Sequence, residues 1–277
     1  MKDRRSMRKG VLVVALALLG LSNAPAQLLS RGDFFGPGAL PPTVGVELGL
    51  GLHSEQGSFQ AICDCEFEDG TGSGFLGALT FNLPLDYEWS IGLKAGLDFK
   101  GFATETFRIE NSILRYPLND SVSSIRIRFR RNGDVSTTYF TVAPAVKYQF
   151  LRGGPFVQAA AGISFLMSSK FTHKRELTST TAELLDDAGN VIGTVSDVSF
   201  ETGTREETLE DGEITNAKGL RLSALLTAGY DISISDKAIL SPMITYDFPI
   251  STIRDDRAKD WKISTLLVSV GLKYLLD

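Results

Sequence analysis

The chain has 277 residues, 43% of them apolar, and a formal net charge of −5. This composition excludes a disordered chain, and the acidic balance gives no reason to expect a nucleic-acid partner. Beyond Ser30 no apolar run is long enough to span a bilayer as a helix.

Residues 1–26 have the parts of a secretory signal peptide. A basic start precedes the short apolar stretch Val11–Leu21, and Ala24-Pro25-Ala26 supplies the small residues of a cleavage site. A membrane-anchoring helix is the alternative interpretation, but the apolar stretch is too short for it. We therefore expect export and a mature chain beginning at Gln27. Residues 27–42 are rich in Gly and Pro and predict an irregular periplasmic lead-in.

From Thr43 onward, apolar and polar residues alternate with the period of two that is typical of β-strands. In Thr137–Phe150, for example, Phe140, Val142 and Val146 share an uncharged face opposite Lys147. The sequence offers no amphipathic helix to cover such faces, which predicts that lipid covers them. The eight alternating segments are Thr43–His53, Gly74–Leu83, Trp89–Gly101, Thr137–Phe150, Phe156–Ser168, Gly219–Ile232, Ala238–Phe248 and Lys262–Leu276.

The connections between these segments alternate between long and short. Residues 84–88, 151–155 and 233–237 are short turns, whereas 54–73, 102–136, 169–218 and 249–261 are long loops. Membrane barrels place short turns in the periplasm and long loops outside the cell. We therefore predict an all-β fold over residues 43–277: a closed, antiparallel, up-and-down transmembrane β-barrel of eight strands. A soluble barrel of eight strands would instead bury its apolar face.

A ten-stranded barrel is the alternative. Ser124–Arg131 also alternates and precedes the turn signal Asn132-Gly133. Paired with Phe107–Leu114, this segment would add two strands to the barrel. Otherwise this segment projects beyond the membrane. Its row of arginines suits either a solvated hairpin face or contact with anionic lipopolysaccharide or a protein partner.

Two prolines conflict with the strand prediction. Pro144 and Pro242 fall inside segments, and proline donates no hydrogen bond to a strand ladder. We expect a local bulge at each position.

The faces opposite the apolar ones carry both acids and bases. An eight-stranded barrel has an interior that side chains just fill, and buried charges require partners. The favoured interpretation is a plug of paired charges, and the alternative is an ion pathway or proton relay. The predicted lumen network consists of Glu47, Lys94, Asp98, Lys147, Arg221, Asp231, Asp247 and Lys273.

The signal peptide, the eight alternating segments and the loop asymmetry together resemble the eight-stranded outer-membrane barrels of the OmpA-type and PorT-like superfamily. The C-terminal segment is similar to the signal that the barrel-assembly machinery reads, with Ser269, Gly271, Tyr274 and Leu276 at its defining positions. The chain departs from that pattern by ending in Asp277 rather than in an aromatic residue. The resemblance covers the barrel only, so no C-terminal peptidoglycan-binding domain is carried over.

Few residues suggest further chemistry. Cys63 and Cys65 lie in the first long loop, where an oxidising compartment would favour a disulfide or pairing with a partner. His53 precedes Ser54, but adjacent strand residues point to opposite faces, which disfavours a catalytic pair. His173 and the Asp186-Asp187 pair lack patterned partners. We therefore predict no enzyme activity, no cofactor and no metal site.

These observations predict a bacterial outer-membrane protein with a structural or surface-binding role, whose long loops are presented outward. Its expected partners are outer-membrane lipid and, during biogenesis, the barrel-assembly machinery. Three alternatives stay open: a narrow pore, a lipid- or peptide-hydrolysing barrel enzyme, and, by resemblance to PorT-like barrels alone, a component of a secretion apparatus.

Overall fold

The computed structural model describes residues 41–60, 66–68, 70–115, 122–151, 153–186, 188–196, 198–200, 204–254 and 261–276. The predicted signal peptide and nearly all of the lead-in lie outside this part of the chain. No helix within it is long and apolar enough to cross a membrane. The strands are β1 (Thr43–Gln56), β2 (Ser58–Gln60), β3 (Glu66–Glu68), β4 (Thr71–Pro84), β5 (Trp89–Arg115), β6 (Val122–Gln149), β7 (Pro155–Leu177), β8 (Thr181–Leu185), β9 (Val191–Ser196), β10 (Glu206–Gly212), β11 (Leu220–Tyr230), β12 (Ile232–Ser233), β13 (Ala238–Pro249) and β14 (Lys262–Leu275).

Eight of these strands form a closed antiparallel ring in the order β1, β4, β5, β6, β7, β11, β13 and β14. The last strand pairs with the first from Thr43↔Leu275 to Gln56↔Lys262, which closes the barrel. The predicted eight-stranded barrel is therefore confirmed, and the ten-stranded alternative is wrong. Phe107–Leu114 and Ser124–Arg131 are the outer parts of β5 and β6, not extra ring strands.

Strand alternation sorts the side chains between the two faces of the wall. In β1, Leu48 and Leu50 point outward with 64% and 74% of their surface exposed, whereas Glu47 points inward and is 1% exposed. Outward positions of the ring carry no charge between two aromatic bands in the described part of the chain. Trp89 contacts Tyr148 in the band near the short turns, and Phe75 stacks on Phe99 in the other. An apolar exterior between aromatic bands is typical of a barrel wall in lipid.

Three neighbouring strands continue well past the outer aromatic band. β5, β6 and β7 contain 27, 28 and 23 residues, more than twice the 9–11 or so that a bilayer requires. Their outer parts pair with each other, with β10 beside β7 and with the β8–β9 hairpin beside β6. We call this sheet the projection. The predicted loops 102–136 and 169–218 are thus largely strand, because the same hydrogen-bonded ladder continues into water.

The projection has a small core of its own. Ile125, Ile127 and Phe129 line the inner face of β6, where Leu177 and Ala182 pack against them. Val198 and Phe200 cover the same cluster from the segment after β9. Above the membrane, the apolar side chains on one face of these strands are therefore buried by protein. Within the membrane, lipid covers the apolar side chains.

The prediction of a bulge at each proline is wrong. Val142 pairs with Ile163 and Ala145 with Ala160, so the register between β6 and β7 is the same on both sides of Pro144. The ladder only lacks the two intervening pairs on the β7 side, since Pro144 still pairs with Leu93 of β5. Pro242 behaves alike: it pairs with Val270, while pairing with β11 ends one residue away at Met243. A proline removes one N–H, and hence bonding on one side alone.

The assignment of lipid to the ring and of water to the projection is testable by placing one charge in each. We expect Leu48→Arg, in the middle of the apolar band, to destabilise the barrel by about 2–4 kcal/mol. Ile109→Arg should change stability by less than about 0.5 kcal/mol, although Ile109 is also 66% exposed, because its surroundings are aqueous. Denaturant unfolding of the barrel in lipid vesicles measures both. Equal costs would contradict the proposed membrane boundary.

Candidate functional site

The lumen holds its charges in three layers, and the layer nearest the short turns surrounds Asp231. Its carboxylate accepts hydrogen bonds from the ammonium groups of Lys147 and Lys273, the latter at 2.9 Å, and from the hydroxyl of Ser241 at 2.6 Å. Both ammonium groups also face the ring of Phe156, 4.1 and 5.1 Å from its centroid. Two buried cations thus share one carboxylate, and the aromatic face stabilises their excess charge.

The middle layer is a single pair. Lys94 donates to Glu47, with its Nζ 2.9 Å from Oε1 and 2.7 Å from Oε2. The hydroxyl of Ser269 also donates to Oε1 at 3.0 Å. Because Glu47 is almost fully buried, these three hydrogen bonds replace the water that a carboxylate would otherwise bind.

The outermost layer joins four charges from three strands. Lys100 Nζ lies 2.9 Å from the carboxylate of Asp98 and 3.2 Å from that of Asp247. Arg221 Nη2 donates to both oxygens of Asp247 at 2.9 Å and to the carbonyl of Ile263 at 3.0 Å. Lys100 was missing from the predicted network. Its position two residues after Asp98, on the same face of β5, is the signal that would have identified it.

The structure therefore brings all eight predicted charges into the lumen, each with at least one ionic partner. The free volume left among Lys94, Lys100 and Arg221 is about 40 Å³. A cavity of this size holds on the order of one water molecule. The lumen at this level is filled by side chains rather than open as a channel.

A second closure lies at the outer end of the lumen, where segments outside the ring strands fold inward. We call this cluster the mouth cap. It consists of Phe67, Phe102, Val135, Phe171, Ile214, Ile253, Trp261 and Ile263. The ring of Trp261 meets that of Phe102 edge-on at 6.0 Å, and the residue is 1% exposed. Sequence reasoning missed the cap, although isolated large apolar residues in otherwise polar loops were a signal for it.

Neither histidine forms a catalytic pair with a neighbouring serine. Nδ1 of His53 lies 2.9 Å from the hydroxyl of Thr265, which also accepts a hydrogen bond from Lys100 at 2.9 Å. Ser54 is exposed on the other face of β1 and donates to the backbone carbonyl of Glu55. His173 is buried against the ring of Phe67 at 5.2 Å.

The remaining predicted residues are dispersed. Asp186 caps the β8–β9 turn, where hydrogen bonds from the side chain and backbone of Asn190 hold the pKa of its carboxyl below the ordinary value. Asp187, Cys63 and Cys65 lie outside the described residues, so the predicted disulfide stays a prediction. Within the described ranges no group of three potential ligands is placed to hold a metal ion.

The residues of the predicted assembly signal lie along β14 and just beyond it. Ser269 and Gly271 point into the lumen, and Tyr274 points outward. The backbone N–H of Leu276 donates to the carbonyl of Pro42 at 2.8 Å, which ties the end of the barrel to its beginning. Asp277 lies outside the described residues.

The arginine row on the outer face of the projection is largely neutralised. Arg130 lies 3.3 Å from Glu105 and 3.5 Å from Glu176, and Arg126 lies 3.7 Å from Glu183. Arg128 and Arg130 also flank the ring of Phe107 at 5.3 and 5.6 Å. These exposed pairs favour the interpretation of a solvated strand face over that of an anion-binding patch.

A closed ring of eight antiparallel strands, apolar outside and ion-paired inside, defines an eight-stranded transmembrane β-barrel. No family model matches the chain, and no curated protein matches it. Membership of the OmpA-type and PorT-like superfamily therefore stays a prediction.

Solved outer-membrane proteins are similar to this chain at low identity and low TM-score. Ail, the attachment invasion locus protein of Yersinia pestis, is 10% identical, with 84% of this chain and 99% of that chain covered and a TM-score of 0.34. OprG from Pseudomonas aeruginosa is 10% identical over 86% and 97% of the two chains, with a TM-score of 0.37. The outer membrane protease OmpT from Escherichia coli is 9% identical over 88% and 100%, with a TM-score of 0.33. None of these likenesses bears on the function of this chain.

The middle layer of the lumen gives a test of how the charges are held. Lys94→Met leaves the Glu47 carboxylate buried without its cation, which should cost about 3–5 kcal/mol of stability. The double variant Lys94→Met with Glu47→Gln removes both charges. Its free energy of unfolding should be closer to that of the parent protein than the free energy of unfolding of Lys94→Met alone. Arg126→Met, which breaks an exposed pair, is the control and should cost no more than about 1 kcal/mol. Denaturant unfolding in vesicles measures all three. Equal losses in the single and double lumen variants would contradict buried pairing.

Proposed function

We propose that this protein resides in the bacterial outer membrane, where the barrel anchors the projection and presents it outside the cell. The observation that supports this most directly is the double closure of the lumen. Three layers of paired charges fill the bore, and the mouth cap closes its outer end. A barrel filled in this way is suited to holding something in place rather than to conducting solutes.

The projection supplies the part to be presented. Its sheet continues the wall of the barrel, because β5 and β6 pair without a break from the membrane into water, and β6 and β7 continue with one register shift, between Thr138 and Tyr139. Its own apolar core keeps it folded above the bilayer. We infer that surface contacts are made by this sheet, and that the eight-stranded ring is related to the OmpA-type and PorT-like barrels.

The narrow-pore alternative requires ions to pass all three charge layers and the cap. We propose instead that the protein does not conduct. In planar bilayers, the parent protein should give no steady, stepwise conductance, and a large porin reconstituted in the same way serves as the positive control. A variant with Trp261→Ala and Ile253→Ala should also be silent, because the charge layers stay in place. Regular conductance steps from the parent protein would contradict the proposal.

The hydrolase alternative requires a reactive group that substrate is able to reach. The His53 ring is buried below the mouth cap and hydrogen-bonded to a threonine that also binds a lysine. We propose that neither histidine has a catalytic role and that the protein is not an enzyme. Activity on lipid A or peptides that disappears in His53→Ala, with the barrel still folded, would contradict this.

If the barrel is the anchor, the outer parts of β5 and β6, on which the projection is built, should be removable without loss of the barrel. Glu105 and Asn132 are directly paired across β5 and β6, so a two-residue Asn-Gly turn is able to join them there. We expect this shortened protein to insert into membranes and to keep the shifted mobility of an unboiled barrel on a detergent gel. A shortened protein that no longer folds would contradict the separation of anchoring from presentation.

A further inference from the structure

Two buried polar atoms on the lumen side of β11 have no hydrogen-bond partner among the described residues. They are Nε of Arg221 and Oγ of Ser223, and each residue is 2% exposed. Because these residues are two positions apart in a strand, their side chains are neighbours on the same face of the wall. In native proteins the great majority of buried polar atoms are bonded to protein or to ordered water. Both atoms therefore indicate a missing partner of small size.

Both side chains line the cavity of about 40 Å³ in the lumen. This cavity lies between the middle layer, from which Lys94 reaches it, and the outermost layer, to which Arg221 belongs. Across the lumen on β4, Leu76 and Ala78 form an apolar side that offers no hydrogen bonds. Arg221 and Ser223 give the cavity a polar side. Its volume is on the order of that of one water molecule.

Two further hydroxyl groups lie at the polar side. Thr141 of β6 and Ser164 of β7 line the cavity, and their hydroxyl oxygens are 2.8 Å apart. One hydroxyl hydrogen makes that bond, so the hydrogen of the other hydroxyl is left for a further acceptor. Gly162, next to Ser164 on the same face of β7, leaves the space in which the hydroxyl of Ser223 lies, since a Cβ there would collide with it. The polar side is thus rich in donors, and Ser223 is also able to accept.

The charges around the cavity balance, which argues against an ion as its ligand. In the middle layer Lys94 is matched by Glu47, and in the outermost layer two cations are matched by two carboxylates. A halide in the cavity would approach the carboxylates of Asp98 and Asp247, and a metal ion would approach the cations that line it. Either ion would add an uncompensated charge to a buried site. A neutral molecule adds none.

We propose that this cavity is a binding site for one water molecule, held by Nε of Arg221 and Oγ of Ser223. The water oxygen accepts from the Nε–H of Arg221, and a water hydrogen is donated to the hydroxyl of Ser223. Nη2 of the same guanidinium already donates to Asp247 and to the carbonyl of Ile263, so the water gives a partner to its other side. The water is a structural part of the filled lumen. This inference is independent of the surface role proposed for the projection.

A crystal structure at a resolution that shows ordered waters tests the site in the parent protein. We expect a single peak of electron density within hydrogen-bonding distance of both Arg221 Nε and Ser223 Oγ. A cavity without density, or a peak that contacts neither atom, would overturn the proposal. Crystals soaked in sodium bromide test the alternative of an anion. An anomalous bromide signal in the cavity would identify a halide site and would also overturn the proposal.

Magnetic relaxation dispersion of the solvent, which counts waters that stay buried for microseconds or longer, tests the site in solution. Ser223→Val replaces the hydroxyl by a methyl group and adds a second methyl group at the cavity, so the count should fall by one relative to the parent protein. Thr227→Val is the matched control. Thr227 is equally buried on the same face of β11, but its hydroxyl lies 2.8 Å from that of Thr245, so the count should not change.

Mobility on detergent gels verifies that each variant is folded. An unchanged count in folded Ser223→Val, or an equal fall in both variants, would contradict a water bound at Ser223. If Ser223→Val does not fold, the crystal structure of the parent protein decides the question without a variant.

Discussion

Backbone hydrogen bonding in hydrocarbon is the constraint on which this structure depends. Lipid offers neither donors nor acceptors, so a sheet that crosses the bilayer must close on itself and leave no edge. The continuous pairing of β14 with β1 over fourteen residues of β1 meets that requirement. Closure then fixes the two sides of every strand, since alternate side chains must meet either lipid or the small enclosed lumen. The apolar exterior and the ion-paired interior both follow from it.

Because the bore is narrow, each charged side chain that points inward needs an ionic partner. Eight strands enclose only enough space for side chains, and a buried charge without a partner is strongly destabilising. The three layers solve this with partners drawn from different strands: Lys94 of β5 with Glu47 of β1, and Arg221 of β11 with Asp247 of β13. A filled, neutralised interior makes the barrel rigid and leaves little room for solutes, which is why anchoring suits it better than transport.

The same constraint explains why the ring does not continue above the membrane. Above the outer aromatic band, water is able to satisfy backbone groups, so β5, β6 and β7 continue there without the full ring. Apolar residues in this region need cover from protein, and β8 and the segment after β9 provide it for Ile125, Ile127 and Phe129. The mouth cap closes the lumen with apolar side chains at this boundary. Pro144 is the reverse case, because it leaves a gap in the β6–β7 ladder within lipid.

The sequence by itself determined the barrel class, the eight ring segments and the inward side of eight charged residues, because a period of two and the absence of charge on one face are local properties of a strand in lipid. It did not decide where the ring ends, since Ser124–Arg131 alternates in water as it would in a membrane. Only the tertiary structure decided that Lys100 lies between Asp98 and Asp247, or that Phe67, Ile253 and Trp261 meet in one cap. Those contacts join residues far apart in the chain through the order, register and closure of the strands. No local pattern encodes such contacts, because they depend on the whole ring being formed at once.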